Sequence, residues 1–173
     1  LFRTVAKEGF PPAYVATRMN DTLTSENSNS MFVTMFIAQV DLKEGRMDFC
    51  NCGHNPPILI NETTTDGREA RFIDMMPNAP LGLWPELEFK GEFIENINGQ
   101  TLLVYTDGLN EAENTMRDQF SDDRLLEVIR MNKTRSARQI IELLQEQVSK
   151  FVGEAEPSDD ITMLCLRTGL STH

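Results

Sequence analysis

The sequence predicts an α+β fold, with helices first, then a run of strands, then two helices and a closing strand. Three observations carry this. Apolar residues recur at helical spacing in 12–25 and 137–152. Short apolar or alternating runs at 31–40, 46–52, 101–105 and 161–166 have the length of strands. Turn signals at Gly45 and at Asn98-Gly99 punctuate the middle of the chain. Strands grouped together, rather than alternating with helices, argue against a parallel βαβ array.

The elements follow in order. Residues 1–8 read as the end of a helix that Gly9 stops. Pro11-Pro12 opens the next helix, with Tyr14, Val15, Met19 and Leu23 on its apolar stripe and a polar loop from Ser25 to Ser30. Residues 31–40 predict a buried strand, and Gly45 joins it as a hairpin to 46–52, where Met47, Phe49 and Asn51 share a face. Pro56-Pro57 marks a sharp turn before a strand at 58–60. A polar loop at 63–67, a strand at 71–75 and a proline-punctuated loop at 77–85 come next. Residues 88–97 alternate as a strand, and 101–105 form another that runs into Thr106-Asp107-Gly108. Ser121 caps a helix through Ile129, and Ser136 caps a longer one over 137–152 that Gly153 ends. Residues 161–166 predict a last buried strand.

The 173 residues suit one domain, and 40% hydrophobic with 25% charged residues is globular composition. A net charge of -11 gives the chain no general means of neutralising a phosphate backbone, which argues against nucleic-acid binding. No apolar run approaches a membrane span and no signal peptide is visible, so no membrane contact is expected. Cys50, Cys52 and Cys165 are too few and too irregular for a disulfide framework and read as strand residues in a reducing, cytoplasmic setting. Leu1 in place of a start methionine predicts a chain that begins inside a larger protein.

Three places hold residues suited to chemistry. Asp107 leaves the end of a buried strand and precedes Gly108, whose lack of a side chain lets the backbone bend and a ligand approach. The plain alternative is an Asp-Gly turn. Asp159-Asp160 stands before the last strand, where adjacent carboxylates repel unless a cation or solvent relieves them. Extended backbone sends the two side chains to opposite sides, so only one faces a given site. In Asn51-Cys52-Gly53-His54-Asn55-Pro56-Pro57, His54 has the chemistry of a ligand, an acid–base group or a loop-fixing hydrogen bond. Glu111 and Glu113 follow Asp107 closely and read as solvated or cation-facing. No phosphate loop and no nucleophile elbow is present, leaving a carboxylate site whose hard oxygens favour magnesium or manganese over zinc.

Together these segments resemble the SpoIIE-like, RsbU-type branch of the metal-dependent type 2C protein serine/threonine phosphatases. Five stretches carry the resemblance in order: Phe32-Val33-Thr34-Met35-Phe36; Asn51-Cys52-Gly53-His54-Asn55-Pro56-Pro57, with Cys52 for the family's alanine; Pro80-Leu81-Gly82-Leu83; Tyr105-Thr106-Asp107-Gly108-Leu109-Asn110-Glu111-Ala112; and Asp159-Asp160-Ile161-Thr162. The resemblance implies a sandwich of two antiparallel sheets flanked by helix pairs. It implies two manganese or magnesium ions that activate a water against a phosphoserine or phosphothreonine, without a covalent phosphoenzyme. By the same resemblance Asp107 and Asp159 are metal ligands and Asp160 is a less secure third; Gly108, Glu111 and His54 are candidate neighbours of that site, and the resemblance carries no catalytic role onto His54.

The family's first two segments, which supply a bridging aspartate, have no counterpart, so residues 1–173 are expected to be the C-terminal major part of a single phosphatase domain lacking its first strands. The expectation is weak or absent metal binding by this chain and little activity, with an exposed sheet edge that makes a homo-oligomer. The implied partner is a phosphorylated protein, an anti-sigma-factor antagonist in bacterial partner-switching regulation. The competing reading is a non-catalytic, phosphatase-like binding module.

Overall fold

Antiparallel pairing organises two sheets, seen in a computed structural model that describes Phe2 and residues 9–26, 31–61, 69–132 and 136–169. The elements are α1 (Pro12–Glu26), β1 (Met35–Asp41), β2 (Arg46–Cys52), β3 (Ile58–Asn61), β4 (Glu69–Phe72), β5 (Glu92–Ile94), β6 (Thr101–Tyr105), α2 (Asp122–Met131), α3 (Ala137–Val152) and β7 (Met163–Arg167). The fold class is α+β, as the sequence predicts. The chain forms two compact units, residues 1–54 with 74–98 and residues 55–73 with 99–173. The predicted helix end at 1–8 (Phe2 apart) and the loop at 63–67 lie outside the described residues.

The first unit is a three-stranded sheet, β1-β2-β5. The β1–β2 hairpin runs from Met35↔Cys52 to Asp41↔Arg46. Its turn is set by Gly45 at φ 63 and by the Asp41 carboxylate, which accepts the Lys43 and Glu44 amides and is held below its ordinary pKa by them. Helix α1 covers one face through Val15, Ala16 and Met19 against Ile37, Cys50 and Cys52. Cys50 and Cys52 do share a face, as their spacing predicts, with sulfurs 3.9 Å apart. Asn20, fully buried, donates to the Trp84 carbonyl and accepts the Gly82 amide, tying α1 to the proline-rich loop.

Two predicted strands here are shorter than their patterns. Met31 and Phe32 are exposed and β1 starts only at Met35, because β2 ends opposite it at Cys52. Val33 instead bridges Leu81. The strand expected over 88–97 shrinks to Glu92–Ile94. The Asn78 side chain takes both the amide and the carbonyl of Lys90, and Asn96 sits at φ 59, so neither end can continue a ladder.

The second unit is a four-stranded sheet, β4-β3-β6-β7, with α2 and α3 against it. Ile58, Ile60, Leu103 and Tyr105 from the sheet meet Leu125, Ile129, Ile140 and Leu144 from the helices. Burial pushes the Tyr105 phenol up, aided by Asp122 at 3.3 Å. Ser121 caps α2, and Ser136 with Gln139 forms a capping box on α3, which Gly153 ends at φ 63. The strand expected at 71–75 lies at Glu69–Phe72, since the Ile73 amide turns to the Pro57 carbonyl. The Asn98-Gly99 turn forms, but β5 and β6 belong to different sheets and make no hairpin.

The last strand corrects the sequence reading most. It spans Met163–Arg167 rather than 161–166, and it is not buried. As the sheet's edge it turns Met163 and Cys165 toward the core, while Leu164 stays 63% and Leu166 43% exposed on the other face. Among the described residues, no helix is long and apolar enough to cross a membrane.

Candidate functional site

Strand β6 is an interior strand of its sheet, paired on one side with β3 and on the other with β7. A side chain placed just beyond its end therefore stands on the stiffest part of the unit. The chain leaves β6 through Thr106, whose amide donates to the Thr162 carbonyl at 3.0 Å and so prolongs the ladder beyond Met163. The Thr106 hydroxyl donates to the Asp160 carbonyl at 3.2 Å and accepts the Thr162 amide at 3.0 Å. One residue thus latches the Asp107 turn to the Asp159-Asp160 segment from both sides.

Gly108 makes that closeness possible. A Cβ there would lie 2.5 Å from the Asp160 carbonyl oxygen, which no side chain tolerates. The turn is closed by the Leu109 amide on the Thr106 carbonyl and the Glu111 amide on the Asp107 carbonyl. Leu109 and Ala112, both buried, pin it to the core.

The sequence-predicted residues separate into two groups. Asp107 and Asp159 stand on the two latched segments, both exposed to solvent. One oxygen of each accepts the amide of the next residue, Gly108 at 3.1 Å and Asp160 at 2.7 Å, which orients the carboxylate. Asp160 joins the site through its main chain, and its side chain is exposed. Glu111 is exposed and contributes its amide to the turn. His54 lies in the first unit, where its amide donates to the Asn51 side chain and its carbonyl accepts from it. Gly53 beside it, at φ 70, packs so closely on Pro80 that a Cβ would come within 2.7 Å. The main chain of this segment is therefore held by loop-fixing contacts.

Two positions that hold these segments in place escaped the sequence reading. Thr106 reads there only as part of a motif; the usable signal was a hydroxyl residue on each segment, Thr106 and Thr162. Asn55 donates to the Asn110 side chain at 3.2 Å, bracing the loop after Asp107. That loop is ordered: Asn110 accepts the Ser121 amide, Glu113 bridges Gln119, and Asn114 accepts the amides of Met116 and Asp118.

Oriented, solvent-facing carboxylates on rigid backbone are the donors that magnesium and manganese prefer. Their number is small: among the described residues, no three His, Cys, Asp or Glu side chains gather as a metal cage. The donor type fits a divalent cation.

Residues 1–169 match the family model described as stage II sporulation protein E. The chain is similar to protein IcfG of Synechocystis sp. (strain ATCC 27184 / PCC 6803 / Kazusa), 26% identical over 85% of this chain and 22% of that protein. It is similar to the phosphoserine phosphatase RsbU of Bacillus subtilis, 21% identical over 95% of this chain and 47% of that protein. The chain thus spans about half the length of these relatives, or less. Its fold matches the PP2C phosphatase domain of the cell fate determinant SpoIIE from Bacillus subtilis with a TM-score of 0.75, at 19% identity, over 97% of this chain and 48% of that one. The latched aspartate segments therefore sit on a PP2C fold, and the chain belongs to the SpoIIE family of phosphatase domains.

Proposed function

We propose that this chain is the C-terminal major part of a single phosphatase domain acting on phosphoserine or phosphothreonine in a protein, and that it supplies part of the metal site. The substrate is an anti-sigma-factor antagonist and the setting is cytoplasmic. The observation that carries the reading is the Thr106 latch, which holds Asp107 and Asp159 on adjacent segments at the mouth of β6 and β7. Carboxylates on neighbouring, firmly held segments that face solvent offer hard oxygen donors to a shared divalent cation. In this reading Asp107 and Asp159 hold magnesium or manganese, with Asp160 the less secure third. The bound metal would lower the pKa of a water and neutralise phosphate charge. The chain's own share is positional: Thr106 and Gly108 set the spacing of the two segments, while Asn55 and Asn110 brace the loop that follows.

Calorimetry with manganese tests this, beside Asp107→Asn. Weak binding that the substitution removes is the expected result, because two or three carboxylates make a partial cage. Identical heats for both proteins would sink the site. A second reading stands beside it, a phosphatase-like module that recognises a partner without catalysis, since among the described residues the aspartates form only part of a cage. Phosphopeptide hydrolysis by the complete protein in saturating manganese decides between them: turnover supports the enzyme, and none supports the module.

A further inference from the structure

Beside the aspartate site the second unit carries a cavity of about 390 Å³ that the metal chemistry does not use. Buried Ala112 and Val148 line it together with Val152 and Ile161, and Glu113 and Asp159 add carboxylates. A volume near the lower end of the roughly 300–1,000 Å³ typical of ligand pockets admits side chains but no folded element. Its apolar residues favour aliphatic groups, since covering them removes apolar surface from water. Its charge disfavours anions even when Asp159 holds a cation. Glu113 keeps a carboxylate on its wall, and the C-terminal end of α3, with Ser149, Val152 and Gly153, turns the negative pole of a helix toward it.

A phosphate therefore has no place in the cavity, yet the cavity shares Gly108 and Asp159 with the place where a phosphate would be held. Three residues of extended chain span about 10 Å. A residue within three positions of a phosphoserine thus has the reach to enter. From this continuity and this charge pattern we infer that the cavity is a specificity pocket for the phosphoprotein substrate. It takes an aliphatic side chain close to the phosphoserine and prefers a neighbouring Lys or Arg to an acidic residue. The inference rests on the phosphatase reading and names a determinant that reading lacks.

The test uses the complete protein with manganese and phosphoserine peptides carrying Leu, or Asp, at each position from three before to three after the phosphoserine. At one position Leu is expected to lower KM by about tenfold or more relative to Asp, with kcat little changed. The same peptide should shift the methyl resonances of Val148, Val152 and Ile161. Ser149→Phe, at an exposed position on the cavity wall, should abolish the preference while leaving hydrolysis of para-nitrophenyl phosphate within about twofold; Gln145→Trp is the second filling variant. Equal KM values for all peptides would overturn the pocket, as would a Leu preference that survives both variants. If neither para-nitrophenyl phosphate nor any peptide is hydrolysed, the phosphatase reading falls. The methyl shifts then decide the pocket alone: shifts specific to Leu peptides uphold it, and their absence overturns it. Equal shifts from isobutanol and from the Leu peptides would assign the cavity to a small apolar ligand and overturn the inference.

Discussion

The two units of this molecule are stabilised by different means. The four-stranded unit rests on a continuous apolar core, in which Ile58, Ile60, Leu103, Leu125 and Leu144 are fully buried. The three-stranded unit has a smaller cluster and relies on asparagines that reach across loops: Asn20 to Gly82 and Trp84, Asn51 to His54, Asn78 to Asn51 and Lys90. An apolar core is close-packed and loses much when volume is removed. A polar clamp carries less energy and sets geometry more sharply, because a buried donor or acceptor without its partner is costly.

Four substitutions probe this contrast, from the largest effect to the smallest. Leu144→Ala empties a fully buried position in the apolar unit and should cost about 2–5 kcal/mol in denaturant unfolding. A loss under ~1 kcal/mol would mean the core is looser than its burial implies. Gly108→Ala puts a methyl against the Asp160 carbonyl and should cost about 1–3 kcal/mol by overpacking. It should also remove manganese binding by forcing the two aspartate segments apart, whereas retained binding would show that their spacing is not what matters. Asn20→Ala strands the Gly82 amide and the Trp84 carbonyl and should cost about 1–3 kcal/mol. Its local signature is easier acrylamide quenching of Trp84, the single tryptophan; unchanged quenching would mean the loop holds without the clamp. Ser136→Ala removes the α3 cap and should cost about 1 kcal/mol, without changing Trp84 quenching.

The contrast also explains what could be read in advance. Helix α3 was legible to the residue, since Ser136, the stripe from Ile140 to Val148 and Gly153 are local signals that agree. Strand β6 was equally plain, a short apolar run ending at Thr106. Asp107 and Asp159 were legible as carboxylates at strand ends, because strand ends are visible in the alternation of residue types. By contrast, the shortening of β5 depends on Asn78, 12 residues from Lys90, and no local pattern announces that a side chain will occupy a strand's hydrogen-bonding groups. The exposure of Leu164 and Leu166 was hidden for a related reason: an apolar run looks the same on an edge strand as on an interior one.

By itself, then, the sequence determined the α+β class, the limits of α3, the hairpin of β1 and β2 and the two aspartate-bearing segments. Each of these depends on residues near one another along the chain. Only the tertiary structure decided that the Thr106 hydroxyl latches those segments, that Gly108 meets the Asp160 carbonyl, and that α3 and the loop at 153–161 enclose a cavity beside them. These contacts join residues some 50 positions apart, as Thr106 and Asp160 are at a separation of 54. Such pairings follow from strand order, and strand order is set by which apolar faces can be buried together rather than by any local preference.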